Sequence, residues 1–147
     1  MSYNNIADTD TAIDCVCNFA GPTCVIVKHA NPCGVSSRKN LLDAYQGAFE
    51  SDPTSAFGGI IAFNEKISGE VAQRLIDNQF LEVVAAPAYS DESLKIFRAK
   101  PNVRVLSFEP KINDRNKILS VSGGLLIQSA DNKIITEDNL EVVTKKV

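Results

Sequence analysis

Apolar positions recur along this chain in two rhythms, and their alternation predicts the architecture. Ile13, Val16, Cys17 and Ala20 fall at i, i+3, i+4 and i+7, one face of a helix. Asp8 or Thr9 is the expected N-cap, and Gly21-Pro22 the expected stop. Residues 23–27 (TCVIV) are continuously apolar, the pattern of a strand covered on both faces. A loop is expected over 29–37, then a helix over 39–50 whose stripe is Leu41, Leu42, Tyr45, Ala48 and Phe49. Residues 51–54 read as a turn, and Gly58-Gly59 opens the apolar run 60–63.

The rhythm then repeats. Ser68 caps an expected helix to Asp77, residues 83–86 form a strand ended by Pro87, Ser90 or Asp91 caps a helix to Lys100, and 103–106 form a strand. Strands alternating with helices predict an α/β fold with helices packed on a largely parallel sheet. The last forty or so residues differ: 109–117 read as loop, 121–128 as a strand, Asp131-Asn132 as a turn, and 134–135 and 140–144 as short strands.

Composition narrows the function classes. The chain has 147 residues, 44% of them hydrophobic and 22% charged, which suits one soluble domain with a core of its own. A net charge of −3 opposes nucleic-acid binding through a basic face; Lys28 with His29 and Lys145 with Lys146 are local clusters, not a stripe. No apolar run reaches the roughly 20 residues of a membrane span, and the N-terminus lacks signal-peptide character, so a cytoplasmic protein is expected. The cysteines at 15, 17, 24 and 33 form no C-x-x-C pair and are expected to be reduced.

Candidate chemistry concentrates where the first strand ends. Val27 leads into Lys28, His29 and the loop Ala30-Asn31-Pro32-Cys33-Gly34, placing a cation and the chain's single histidine at a sheet edge. A neighbouring cation disfavours the imidazolium and suits a general base, although a structural histidine beside a snorkelling lysine fits equally well. The second constellation is Asp52 to Gly59, where Gly58-Gly59 could bring backbone amides to an anion or simply make a turn. His29 with Pro32-Cys33 partly matches the zinc-deaminase signature, but Asn31 stands in place of its glutamate and Ser36 in place of its second cysteine. A Cys33/His29 nucleophile pair lacks an evident orienting acid.

Residues 2–8 (SYNNIAD), 27–34 (VKHANPCG), 52–64, 80–87 (FLEVVAAP) and 142–145 (VVTK) together resemble the bifunctional AICAR formyltransferase/IMP cyclohydrolase family of purine synthesis. The resemblance runs through essentially the whole chain. It implies a layered α/β/α sandwich, a cytidine-deaminase-like subdomain without zinc, and it makes this chain the first of two such subdomains in the formyltransferase region of a longer enzyme. It further implies transfer of a formyl group from 10-formyltetrahydrofolate, as co-substrate, to the 5-amino group of phosphoribosylaminoimidazolecarboxamide (AICAR). By the same resemblance His29 is the candidate base, Lys28 stabilises charge on the formyl oxygen or aids departure of the folate nitrogen, the Gly58 amide lines the AICAR site and Glu82 contacts the nucleotide. No metal is implied. The family's other site residues lie outside this chain, so a homodimeric full enzyme is expected and the chain alone is expected to be inactive. The other reading is a non-catalytic nucleotide-binding or assembly module.

Overall fold

The first helix begins at its true cap, Ser2, well ahead of the expected Asp8 or Thr9. Ser2 Oγ accepts from the Asn5 N–H (3.1 Å) and Asn5 Oδ1 accepts from the Ser2 N–H (3.2 Å), a reciprocal capping box. Helix α1 (Tyr3–Val16) therefore includes Asn5 and Asp8, and it ends at Val16, before Gly21-Pro22. Asn64 ties down the segment that follows: its side-chain NH2 donates to the carbonyls of Phe19 and Gly21, and its Oδ1 accepts from the Thr23 N–H.

The computed structural model describes residues 1–111, 116–131, 133, 135–145. They belong to two compact units, Met1–Ile112 and Asn113–Val147. The first holds a five-stranded sheet of β1 (Thr23–Lys28), β2 (Asn31–Ser37), β3 (Ile60–Phe63), β4 (Val83–Ala86) and β5 (Arg104–Ser107), in the order β2-β1-β3-β4-β5. β1 is antiparallel to both neighbours, while β3, β4 and β5 are mutually parallel. The sheet is thus mixed where a largely parallel one was expected. The cause is the segment expected to be a loop: residues 31–37 pair back on β1 as a hairpin with Lys28 opposite Asn31. Pro32 and Gly34 disguise that strand, yet proline is tolerated at a sheet edge, and a register shift between Ile26 and Val27 accommodates Cys33 as a bulge.

Side chains alternating along the strands feed two cores. Cys24 and Ile26 of β1, Phe63 and Val84 face α2 (Leu41–Ser51), α3 (Pro53–Ala56), α4 (Gly69–Asn78) and α5 (Asp91–Arg98), packing on Tyr45, Leu75 and Phe97. Val25, Val27, Ile60 and Val83 face the opposite way, onto Ala12 and Val16 of α1. This is the layered α/β/α sandwich. The expected turn at 51–54 is instead the start of α3: Asp52 accepts from the Ser55 N–H (2.9 Å), and Pro53 fills the first turn, where its missing N–H costs nothing.

In the second unit the expected single strand over 121–128 is a hairpin, β6 (Lys117–Val121) and β7 (Gly124–Gln128), turned at Ser122-Gly123 with Gly123 at φ +83°. The expected strand at 140–144 does not form, because no partner strand pairs there among the described residues; a 3-10 turn, Glu137–Asn139, precedes it. The expected turn at 131–132 and strand at 134–135 each include a residue outside the described set.

Candidate functional site

Strand register gathers the candidate residues. Val27 lies opposite Ile60, and Ile60 beside Val83, so the carboxyl end of β1 shares an edge with the amino ends of β3 and β4. Lys28 and His29 leave β1 there, Gly58 enters β3 there, and Glu82 enters β4 there. Four residues spread over more than fifty positions of sequence thus stand along one edge. That edge differs from the usual carboxyl-end arrangement of open α/β sheets, since only β1 contributes a carboxyl end.

Hydrogen bonds knit the edge together. Lys28, half-buried as a residue, donates from Nζ to the Phe57 carbonyl at 2.8 Å in an exposed bond, so its side chain lies across the loop that precedes β3. The Gly58 N–H donates to the Phe80 carbonyl (2.8 Å), the Gly59 N–H to the Ala56 carbonyl (3.0 Å) and the Glu82 N–H to the Gly59 carbonyl (3.3 Å). Both glycine amides are therefore engaged within the fold and do not form an open anion cradle. Gly58 contributes its backbone instead: φ is +72°, a conformation a Cβ would strain. Phe57 and Phe80 flank it with ring centroids 5.8 Å apart, beside a cleft of about 490 Å³.

Two residues of α1 complete the edge, and the sequence reading missed both. Asn5, buried, donates its side-chain amide to Glu82 Oε2 at 2.6 Å. Asp8, half-buried, accepts from the Ala30 N–H (2.6 Å) and the His29 N–H (3.3 Å). Their i, i+3 spacing puts both on one helix face. The signal was the capping box at Ser2 and Asn5, which places both residues inside the helix. His29 itself is exposed, with φ +58°, and its ring has no hydrogen-bond partner among the described residues.

Local electrostatics favours a cation and disfavours a thiolate. The Ser55 hydroxyl and amide hold Asp52 below the usual carboxylate range, and the charge of Lys28 adds to the effect. Burial pushes the Cys33 thiol up, and Sγ lies 3.6 Å from the Ile26 carbonyl, so Cys33 is a poor nucleophile. Among the described residues, no three His, Cys, Asp or Glu side chains cluster as metal ligands.

The AICARFT/IMPCHase bienzyme family model matches residues 1–147, the whole of the sequence. This chain belongs to that family. The bienzyme family is a bifunctional one of purine biosynthesis. Solved structures give the fold of this family member at low identity. The chain is similar to RibD of Acinetobacter baumannii (15% identity, TM-score 0.50, covering 68% of this chain and 35% of that one). A diaminohydroxyphosphoribosylaminopyrimidine deaminase/5-amino-6-(5-phosphoribosylamino)uracil reductase of Thermotoga maritima matches at 13% identity and TM-score 0.51, covering 72% of this chain and 37% of that one. The dCMP deaminase of cyanophage S-TIM5 matches at 12% identity and TM-score 0.50, covering 74% of this chain and 100% of that one. The chain thus spans little more than a third of the first and second of these proteins, and the likeness identifies a cytidine-deaminase-like fold. No helix among the described residues is long and apolar enough to cross a membrane.

Proposed function

We propose that this chain carries the amine-activating part of an AICAR formyltransferase site, acting in the cytoplasm within a longer, homodimeric enzyme. The supporting observation is that Lys28, His29, Gly58 and Glu82 stand along one sheet edge, joined by the bonds of Lys28, Gly58 and Glu82 to that edge's backbone. The 5-amino nitrogen of AICAR attacks the formyl carbon of 10-formyltetrahydrofolate, and the bond from that carbon to the folate nitrogen then breaks. Conjugation weakens the amine, so its proton must leave as attack proceeds, and His29, exposed at the β1–β2 turn, takes it. An ammonium has three donors; Phe57 takes one from Lys28, and the others serve negative charge developing on the formyl oxygen or protonation of the departing nitrogen. Glu82, steadied by Asn5, offers a carboxylate to nucleotide hydroxyls. Gly58 lines the site through its bare Cα, its amide being committed to Phe80.

The runner-up is a nucleotide-binding or assembly module without catalysis, favoured because the His29 ring has no hydrogen-bond partner among the described residues. Turnover separates the two. In the intact bienzyme, His29→Ala should lower formation of tetrahydrofolate by about 100-fold or more, with AICAR affinity by calorimetry nearly unchanged. Lys28→Ala should weaken both. Full turnover in His29→Ala would leave only the binding module, and ready turnover by this chain alone would refute the need for the rest of the enzyme.

A further inference from the structure

We propose that Asp8 is a positioning residue for His29, its carboxylate holding the β1–β2 turn in the left-handed conformation that presents the imidazole. The inference rests on reading His29 as the base, and it is carried by the geometry of the turn.

The hairpin closes through two residues, His29 and Ala30, with φ of +58° and +53°. Two-residue turns of this hand match the twist of paired strands, and they favour Asn-Gly because both central residues need positive φ. Here both carry a Cβ, which crowds the backbone in that region. Some other contact must hold the turn, and Asp8 supplies it. Oδ1 accepts from the Ala30 N–H at 2.6 Å and Oδ2 from the His29 N–H at 3.3 Å, so one carboxylate spans both strained residues. A charged acceptor strengthens each bond over a neutral one. Asp8 is itself fixed, standing on α1 at i+3 from Asn5, whose side chain is anchored on Glu82. One helix face therefore ties the turn that carries His29 to the acidic end of the same edge. Without the carboxylate, the turn relaxes toward ordinary negative φ and the imidazole swings off the edge.

The test uses the 15N-labelled chain, whose single histidine makes its ring signals unambiguous. In Asp8→Ala, the His29 and Ala30 amides should exchange at least about tenfold faster, with the amides of Ile61 and Val84 as unchanged references. The strong intraresidue HN–Hα contact that marks positive φ should fade at both residues, and the ring signals should shift. Adding Ala30→Gly should restore the turn, because glycine adopts positive φ without strain. Asp8→Asn removes the charge while keeping the shape, and should give an intermediate result; it carries the comparison alone if Asp8→Ala does not fold. In the intact bienzyme, Asp8→Ala should lower kcat by about tenfold with KM for AICAR little changed, again relieved by Ala30→Gly. Unaltered exchange and ring signals in the Asp8 variants, or no rescue by Ala30→Gly, overturn the proposal. Should His29→Ala turn over normally, the base assignment falls, while the resonance measurements still decide whether Asp8 holds the turn.

Discussion

Replacing Gly34 by alanine strikes the support beneath the candidate site. Gly34 sits on β2, opposite Ile26 and directly under α2. A Cβ there would lie 2.0 Å from the Ala48 carbonyl oxygen and 2.9 Å from its carbon, whereas ordinary contact begins near 3.4 Å. The helix must retreat by about 1.4 Å, because the obstacle is helix backbone and cannot rotate aside. Ala44, Tyr45 and Ala48 would move with it, opening voids where they now fill the core. Overpacking costs about 1–3 kcal/mol, and a backbone obstacle points to the upper end of that range. With urea slopes of about 1–3 kcal/mol per molar for small proteins, the unfolding midpoint should fall by about 1–3 M. Far-UV circular dichroism is the suitable readout, since the chain has no tryptophan. Val35→Ala, on the next and exposed position, is the control and should change far less. A Gly34→Ala midpoint within about 0.3 M of the parent would refute the reasoning, showing that α2 and the hairpin part freely.

Removing Asn5 as Asn5→Ala deletes half the capping box and strands Glu82 without its donor; a loss of about 1–3 kcal/mol is expected, lowering the melting temperature by at least about 2 °C. An unchanged melt would mean that water replaces the amide without cost. Burial pushes the Tyr45 phenol from its usual 10.0 to about 12. An acid whose folded value is raised gives stability that is whole below pH 10 and declines as pH climbs toward 12. Tyr45→Phe should flatten that decline, and identical alkaline profiles would contradict it. The β6–β7 hairpin exposes Ile118, Leu119, Leu125, Leu126 and Ile127, so sedimentation at micromolar concentration should show self-association that Leu119→Lys with Leu126→Lys reduces. A monomeric parent chain would sink that expectation.

The buried strands β1, β3 and β4 were legible because continuous apolar runs between helical stretches allow few other readings, and the half-buried β5 followed from the same alternation. Helices α4 and α5 were equally plain, since Ser68 and Ser90 cap them in the structure as the sequence indicates. Strand β2 was not, because Pro32 and Gly34 carry turn chemistry and only the edge position makes a strand of them. The direction of β3 against β1 is likewise invisible locally: no single segment encodes which neighbour it will meet. At the site, Lys28 and His29 stood out through their place at a strand end. Asn5 and Asp8 did not, because each acts on a partner at least twenty residues away, and such contacts exist only once α1 lies across the sheet. Gly58 was legible as a special backbone position, but the engagement of its amide was not.

The reversal of chain direction between β1 and β3 also fixes which ends of the helices meet at the candidate edge. Helix α4 returns from the far end of β3 to the start of β4, and α5 from the end of β4 to the start of β5, so both finish at this edge. Helix α2, entered from the far end of β2, finishes there as well. Their aligned peptide dipoles bring partial negative charge to the rim, while α1 and the single turn of α3 begin there and supply the positive kind. A phosphate therefore finds no ring of amino ends awaiting it, unlike the sites that cradle nucleotides at the start of a helix. The backbone field instead welcomes an ammonium and electron-poor ring atoms. That asymmetry suits the Lys28 ammonium, which stands where the carboxyl ends of three helices converge.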